Sequence, residues 1–129
     1  MIEWQYRQST GHILRNGSII AIGYSGHGVG KNNPECEAIA DVGPIPKGLY
    51  VVGAIRDSAN TGPLTIELNP LHHTACGRSD FRIHGDSKAH PGEASHGCIV
   101  LSNAVRQLIK FSKFEHDAGG EQTLLEVIA

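Results

Sequence analysis

Turn-forming residues cut this chain into short apolar runs. Sixteen glycines and six prolines are spread along 129 residues, a punctuation that favours many turns and short strands over a helical bundle. The clearest instance is GHILRNGSIIAIGY, where Asn16-Gly17 stands between two apolar runs. Both residue types tolerate positive φ, as a type I′ turn requires, so a hairpin is predicted near residues 10–24. The length suits one domain, residues 1–129, with a core of its own. The expected fold is mainly β, with helix as the minority element.

The rest of the chain supports that reading. IEWQYR alternates like a strand; residues 25–34 (SGHGVGKNNP) read as a loop, with a short helical turn through ECEAIA after Pro34. GPIPKG (43–48) is a rigid turn feeding the strand GLYVVGAI, and LTIELNP (64–70) alternates as its partner. Phe81-Arg82-Ile83-His84 reads as a strand ending at His84, where Gly85-Asp86 turns the chain away. Ser102 is a helix N-cap, and Val105, Leu108 and Ile109 have the spacing of a buried helix face. DAGGEQ then turns into a final strand, TLLEVIA.

A net charge of −2 with 19% charged residues offers no basic stripe for nucleic acid. No segment has the apolar length of a membrane span, and MIEWQYRQSTGHI lacks the basic-then-apolar pattern of a signal peptide. Three cysteines, Cys36, Cys76 and Cys98, allow at most one internal disulfide. A Cys36–Cys76 bridge with Cys98 free is one arrangement.

The chemistry concentrates in FRIHGDSKAHPGEASHGCIVL (81–101). Cys98 follows a glycine and precedes a helix-forming segment, a setting in which backbone amides and the helix dipole lower a thiol pKa. His84, fourteen residues upstream, is a candidate base for that thiol, and the amides of Gly97 and Cys98 are candidate oxyanion donors. Two other readings stand beside this one. A lone cysteine is more often buried packing than a nucleophile. His84, His90 and His96 with Cys98 could also hold zinc, although neither a Cys-x-x-Cys pair nor a His-Glu-x-x-His helix is present. His72-His73 would point to opposite sides if extended, and His27 lies in a loop that leaves solvent-facing and substrate-lining roles equally open.

The stretch IHGDSKAHPGEASHGCIVL resembles the HG…SHGC signature of L,D-transpeptidase catalytic domains of the YkuD type, in the order and spacing of its two halves. GPIPKGLY resembles the turn that precedes a strand in that fold. GYSGHG, NNP, GPIPKGLY and SHGCIV together are most similar to type VI secretion effectors with an L,D-transpeptidase-like domain. The resemblance implies a YkuD-type β-sandwich or barrel-like set of sheets with one helix packed after the catalytic cysteine. It implies Cys98 as nucleophile, His84 as general base and the Gly85 carbonyl as the group that orients the imidazole. Ser95, His96 and Gly97 would shape the nucleophile loop, and Tyr24, His27 and Asp86 are candidates to line the substrate. The chain departs from the broader family in Ile99-Val100-Leu101, where a polar residue is usual, which puts substrate anchoring in question.

The same resemblance implies a reaction. Cys98 would attack the carbonyl of the third residue of a peptidoglycan stem tetrapeptide and expel the terminal D-alanine through a thioester. Water would complete L,D-carboxypeptidase activity; a D-amino acid or a stem amine would complete exchange or cross-linking. Loops 25–34 and 85–95 are expected to control water access to the acyl-enzyme. No cofactor or metal is implied. The expected partners are peptidoglycan stem peptides, a secretion apparatus and a cognate immunity protein, with synthesis in the cytoplasm and action in the periplasm of target bacteria. A non-catalytic peptidoglycan-binding module of the same fold, the mature form of an exported wall enzyme, and a zinc hydrolase are the alternatives.

Overall fold

The computed structural model describes residues 2–129. Nine strands and one α-helix follow one another as β1 (Trp4–Arg7), β2 (His12–Arg15), β3 (Ser18–Ile22), β4 (Tyr24–Ser25), β5 (Gly48–Ser58), β6 (Gly62–Leu71), β7 (Arg82–His84), β8 (Ile99–Val100), α1 (Asn103–Ala118) and β9 (Leu124–Ile128). Short 3-10 turns interrupt the loops at Gly28–Gly30, Pro34–Cys36 and Ala75–Gly77. The mainly β expectation holds, and the single helix follows the cysteine.

The strands form one mixed sheet in the order β3-β2-β1-β9-β5-β6-β7-β8-β4. Its two outermost strands, β3 and β4, are separated in the chain by Gly23 alone, so the sheet must curl until its ends meet at that residue. Gly23 is where the strand bends between the two edges. A Cβ there would lie 2.0 Å from the Val100 carbonyl oxygen, so only glycine lets β8 approach so closely. The predicted hairpin is present: Asn16 and Gly17 have φ of 50° and 83°, and β2 pairs antiparallel with β3.

Alternation sets the core. Trp4 and Tyr6 of β1, Tyr50 and Val52 of β5, and Leu125 and Val127 of β9 point inward, together with Ile66, Ile83, Ile99 and Ile109. Helix α1 starts where expected, with Ser102 Oγ accepting the Val105 N–H. Its buried face differs from the predicted one: Val105 and Ile109 are inward with Arg106 and Ser112, while Leu108 is exposed. The helix is turned so that two polar residues face the protein, and both have partners there.

Ser112 makes the tie between helix and sheet. Its Oγ accepts the buried Trp4 Nε1–H at 3.1 Å and donates to Glu3 at 2.6 Å. Alanine at 112 would strand the indole N–H, so Ser112→Ala should destabilise the fold by about 1–3 kcal/mol. The urea midpoint should fall with an unchanged m-value; an unchanged midpoint would contradict this.

Candidate active site

β7 and β8 are parallel neighbours, with Ile83 opposite Ile99 and His84 opposite Val100. Parallel neighbours need a long crossover, and residues 85–98 provide it. His84-Gly85 opens this crossover and Ser95–Cys98 closes it. Ile83 and Ile99 point into the core, and Cys98 immediately precedes β8, the neighbour of the strand that ends at His84.

His84 is 5% exposed. Its Nδ1 lies 2.8 Å from the Gly85 carbonyl oxygen, which can only accept, so Nδ1 carries the proton and Nε2 keeps the lone pair in the neutral ring. Burial lowers the His84 pKa below its ordinary value, and the charges of Arg106 and Arg82 add to this against the Gly85 bond. The ring is therefore a neutral base at neutral pH.

Cys98 is half-buried. Its thiol donates to the Asp80 carbonyl at 3.7 Å, and the Arg82 amide faces the sulfur. Burial pushes the thiol pKa up, outweighing the Arg82 amide and the nearby arginine charges. This reverses the expectation from the helix dipole. β8 intervenes between Cys98 and α1, which begins only at Asn103, so the dipole acts beyond its range of about one turn.

Two buried serines hold the loop that carries Cys98. Ser95 Oγ accepts the N–H groups of Gly26 and Gly97 at 2.9 and 3.1 Å and donates to the Cys98 carbonyl at 2.6 Å. Ser25 Oγ donates to the Gly97 carbonyl at 3.3 Å and accepts the Ile45 N–H at 2.9 Å. The Gly97 amide thus already has an acceptor and would have to exchange it for a substrate oxyanion. Gly97 has φ of 133°, and a Cβ there would lie 2.3 Å from Arg78 Nη2. Arg78 in turn donates to the carbonyls of Glu37, Pro44, Gly43 and His96, joining three loops beneath the thiol.

Two clefts meet here. One of about 370 Å³ is lined by Cys98, Gly97, Arg78 and Asp80; another, of about 660 Å³, by His84, Gly85, Asp86, His90 and Arg106. His96 borders both, and its ring stacks on His27 with centroids 5.2 Å apart. His27 is exposed above this boundary and His90 is exposed at the rim.

Tyr24 and Asp86, candidates to line the substrate, are bonded to each other across the crossover. The Tyr24 hydroxyl donates to Asp86 at 2.6 Å and accepts the Ala94 N–H at 2.9 Å, and its pKa is pushed up to about 12, first by burial and then by the Asp86 bond. Asp86 also accepts the amides of Ser87 and Gly92. Slight burial opposes its charge, but these bonds hold its carboxyl below the usual range. The pair fastens both ends of the crossover together. Asp86 still borders the His84 cleft, whereas Tyr24 is buried and borders a separate depression beside β8.

All three cysteines are free thiols, so the Cys36–Cys76 bridge is absent. Val100 is buried between β7 and β4 and offers the substrate no polar group. Ser25, Arg78 and Arg106 were not anticipated from sequence. Among the described residues, no three His, Cys, Asp or Glu side chains are grouped as metal ligands would be, and no helix is long and apolar enough to cross a membrane.

The family model of the Tlde1 domain matches residues 20–123, a span that contains the whole crossover, both serines, His84 and Cys98. No curated protein matches the chain. A match over that much of the chain places it in a family, and the chain belongs to the Tlde1 domain family of antibacterial type VI secretion effectors.

Proposed function

We propose that the chain is a cysteine acyl-transfer enzyme that removes the terminal D-alanine from peptidoglycan stem tetrapeptides. The observation that carries this reading is the hydrogen bond of His84: its Nδ1 is bound to the Gly85 carbonyl, which leaves Nε2 free to accept a proton, at the end of the strand beside the one that Cys98 immediately precedes. A raised thiol pKa and a lowered imidazole pKa favour a neutral pair at rest. The thiol is then activated by general-base transfer as it attacks.

In the first step the Cys98 proton passes to His84 Nε2 and sulfur bonds to the carbonyl carbon of the third stem residue. The tetrahedral intermediate collapses as the peptide C–N bond breaks, and His84 returns the proton to the departing D-alanine amine. Water, deprotonated by His84, then splits the thioester and restores the thiol. An amine acceptor in place of water gives exchange. The clefts open to solvent, which favours hydrolysis. For an effector the stem peptides would be met in the target cell's periplasm, and an immunity protein would cover the clefts in the producer.

Incubation with tetrapeptide muropeptides, followed by mass spectrometry with and without added D-amino acids, tests the reading. Loss of one alanine is expected, and added D-amino acid should appear in a fraction of the product. Binding without any change of mass would overturn the enzyme reading in favour of a non-catalytic module.

A further inference from the structure

Arg106 is a buried charged group at this site that the reaction above leaves unused. It stands near the start of α1 yet is only 6% exposed, an unusual place for a guanidinium. Its Nε donates to the Leu101 carbonyl at 3.1 Å, and its Nη1 to the carbonyls of Pro63 and Leu64 at 2.7 and 3.2 Å. These bonds hold the head group rigidly and occupy its Nε and Nη1 donors. Among the described residues Nη2 has no hydrogen-bond partner and the side chain has no carboxylate partner.

The location of Nη2 gives this vacancy a direction. It packs against Gly85, where a Cβ would lie 2.8 Å away. Arg106, Gly85 and His84 line the same cleft. The carboxylate of Asp86 in that cleft is already occupied by Tyr24 and by two backbone amides. The cleft wall beside the base therefore carries a fixed positive charge with spare donors on Nη2 and, among the described residues, no carboxylate paired with it; Glu93, the other acid lining this cleft, is exposed and stands 3.8 Å from His90. A charge-assisted hydrogen bond from Nη2 to a carboxylate oxygen suits that arrangement.

We propose that Arg106 binds the α-carboxylate of the substrate's terminal residue, so that the enzyme selects chains ending in a free acid. This rests on the acyl-transfer reading. The departing amine must lie within hydrogen-bond reach of His84 Nε2 to receive its proton, and in an α-amino acid the carboxylate carbon is two bonds from that nitrogen. An acid group so placed falls beside His84, where Arg106 waits. Lys88 is another cation lining this cleft, but it is exposed and has no fixed geometry. Arg82 lies toward the thiol, its amide facing the sulfur.

The test compares a stem tetrapeptide ending in the free acid with the same peptide ending in a carboxamide. Wild type should favour the acid in kcat/KM by roughly 10- to 100-fold, the range for a hydrogen bond to a charged group. Arg106→Gln should bring the ratio close to one by losing rate on the acid alone; Arg106→Lys, which keeps the charge without the fixed Nη2 donor, should fall between; Lys88→Ala should keep the preference. A folded Arg106→Gln that keeps the preference, a wild type that treats both peptides alike, or loss of the preference in Lys88→Ala overturns the proposal. If Arg106→Gln does not fold by circular dichroism, the wild-type and Arg106→Lys ratios decide: equal ratios overturn it. A wild type that cuts neither peptide overturns the acyl-transfer reading and this proposal with it, a result distinct from cutting that ignores the carboxylate.

Discussion

Cys98→Ala should abolish D-alanine release, by on the order of 10³-fold or more, while the protein still folds. A nucleophile cannot be replaced by its neighbours, because the bond it forms defines the pathway. The structural cost is small by contrast. The thiol meets the Asp80 carbonyl only at the long distance of 3.7 Å, and the bonds that shape its loop belong to Ser25, Ser95 and Arg78. The unfolding midpoint should therefore move by no more than the equivalent of about 1 kcal/mol, as for other substitutions that break no buried network. Cys98→Ser tests the same point with the loop filled: its hydroxyl is a far weaker nucleophile and should rescue little. Intact-protein mass spectrometry of wild type during turnover should show a thioester adduct that neither variant forms. Measurable release by a folded Cys98→Ala would remove Cys98 from the reaction.

Local features of the chain made much of this fold legible. Asn16-Gly17, the alternation of β1 and β6, the apolar runs of β5 and β9, and the Ser102 cap each fix nearby backbone through their own chemistry, and each is found where expected. The sheet order is not local. β1 lies beside β9, parallel to it, across nearly the whole chain, and no pattern within either strand encodes the other. The site divides in the same way. His84, Gly85, Ser95 and Cys98 stand out because they frame one crossover, whereas Arg78 and Arg106 act on carbonyls far away in sequence and leave no spacing signal. Arg106 did leave one trace. It lies beside Val105, three residues before Ile109, so it falls inside the apolar stripe of the helix, and an arginine there needs a buried set of acceptors. Reading Leu108 as inward hid that. The thiol pKa departs from the sequence expectation for a related reason: Cys98 is close to the helix in sequence, but the short strand β8 separates it from the helix's first turn.

His84→Gln should slow D-alanine release by roughly 10²- to 10⁴-fold, the usual contribution of a general base, and should also change the direction from which pH limits the enzyme. In wild type the base must be neutral to accept the thiol proton. At low pH His84 is protonated and the rate falls; as pH rises through the His84 pKa the rate climbs to a plateau. Burial, with Arg106 and Arg82 nearby, holds that pKa below the ordinary histidine value, so the acid limb of kcat/KM should have its inflection below about 6.5 and leave the enzyme fully active at neutral pH. Glutamine keeps a polar group of similar size but accepts no proton at any pH in this range. The variant then depends on thiolate formed without a base, and burial raises the Cys98 pKa. Its residual rate should keep rising into alkaline solution, past the wild-type plateau. The acid limb disappears and an alkaline one takes its place. An acid limb that survives unchanged in His84→Gln would assign it to another group, and His96, which borders both clefts, would be the residue to substitute next.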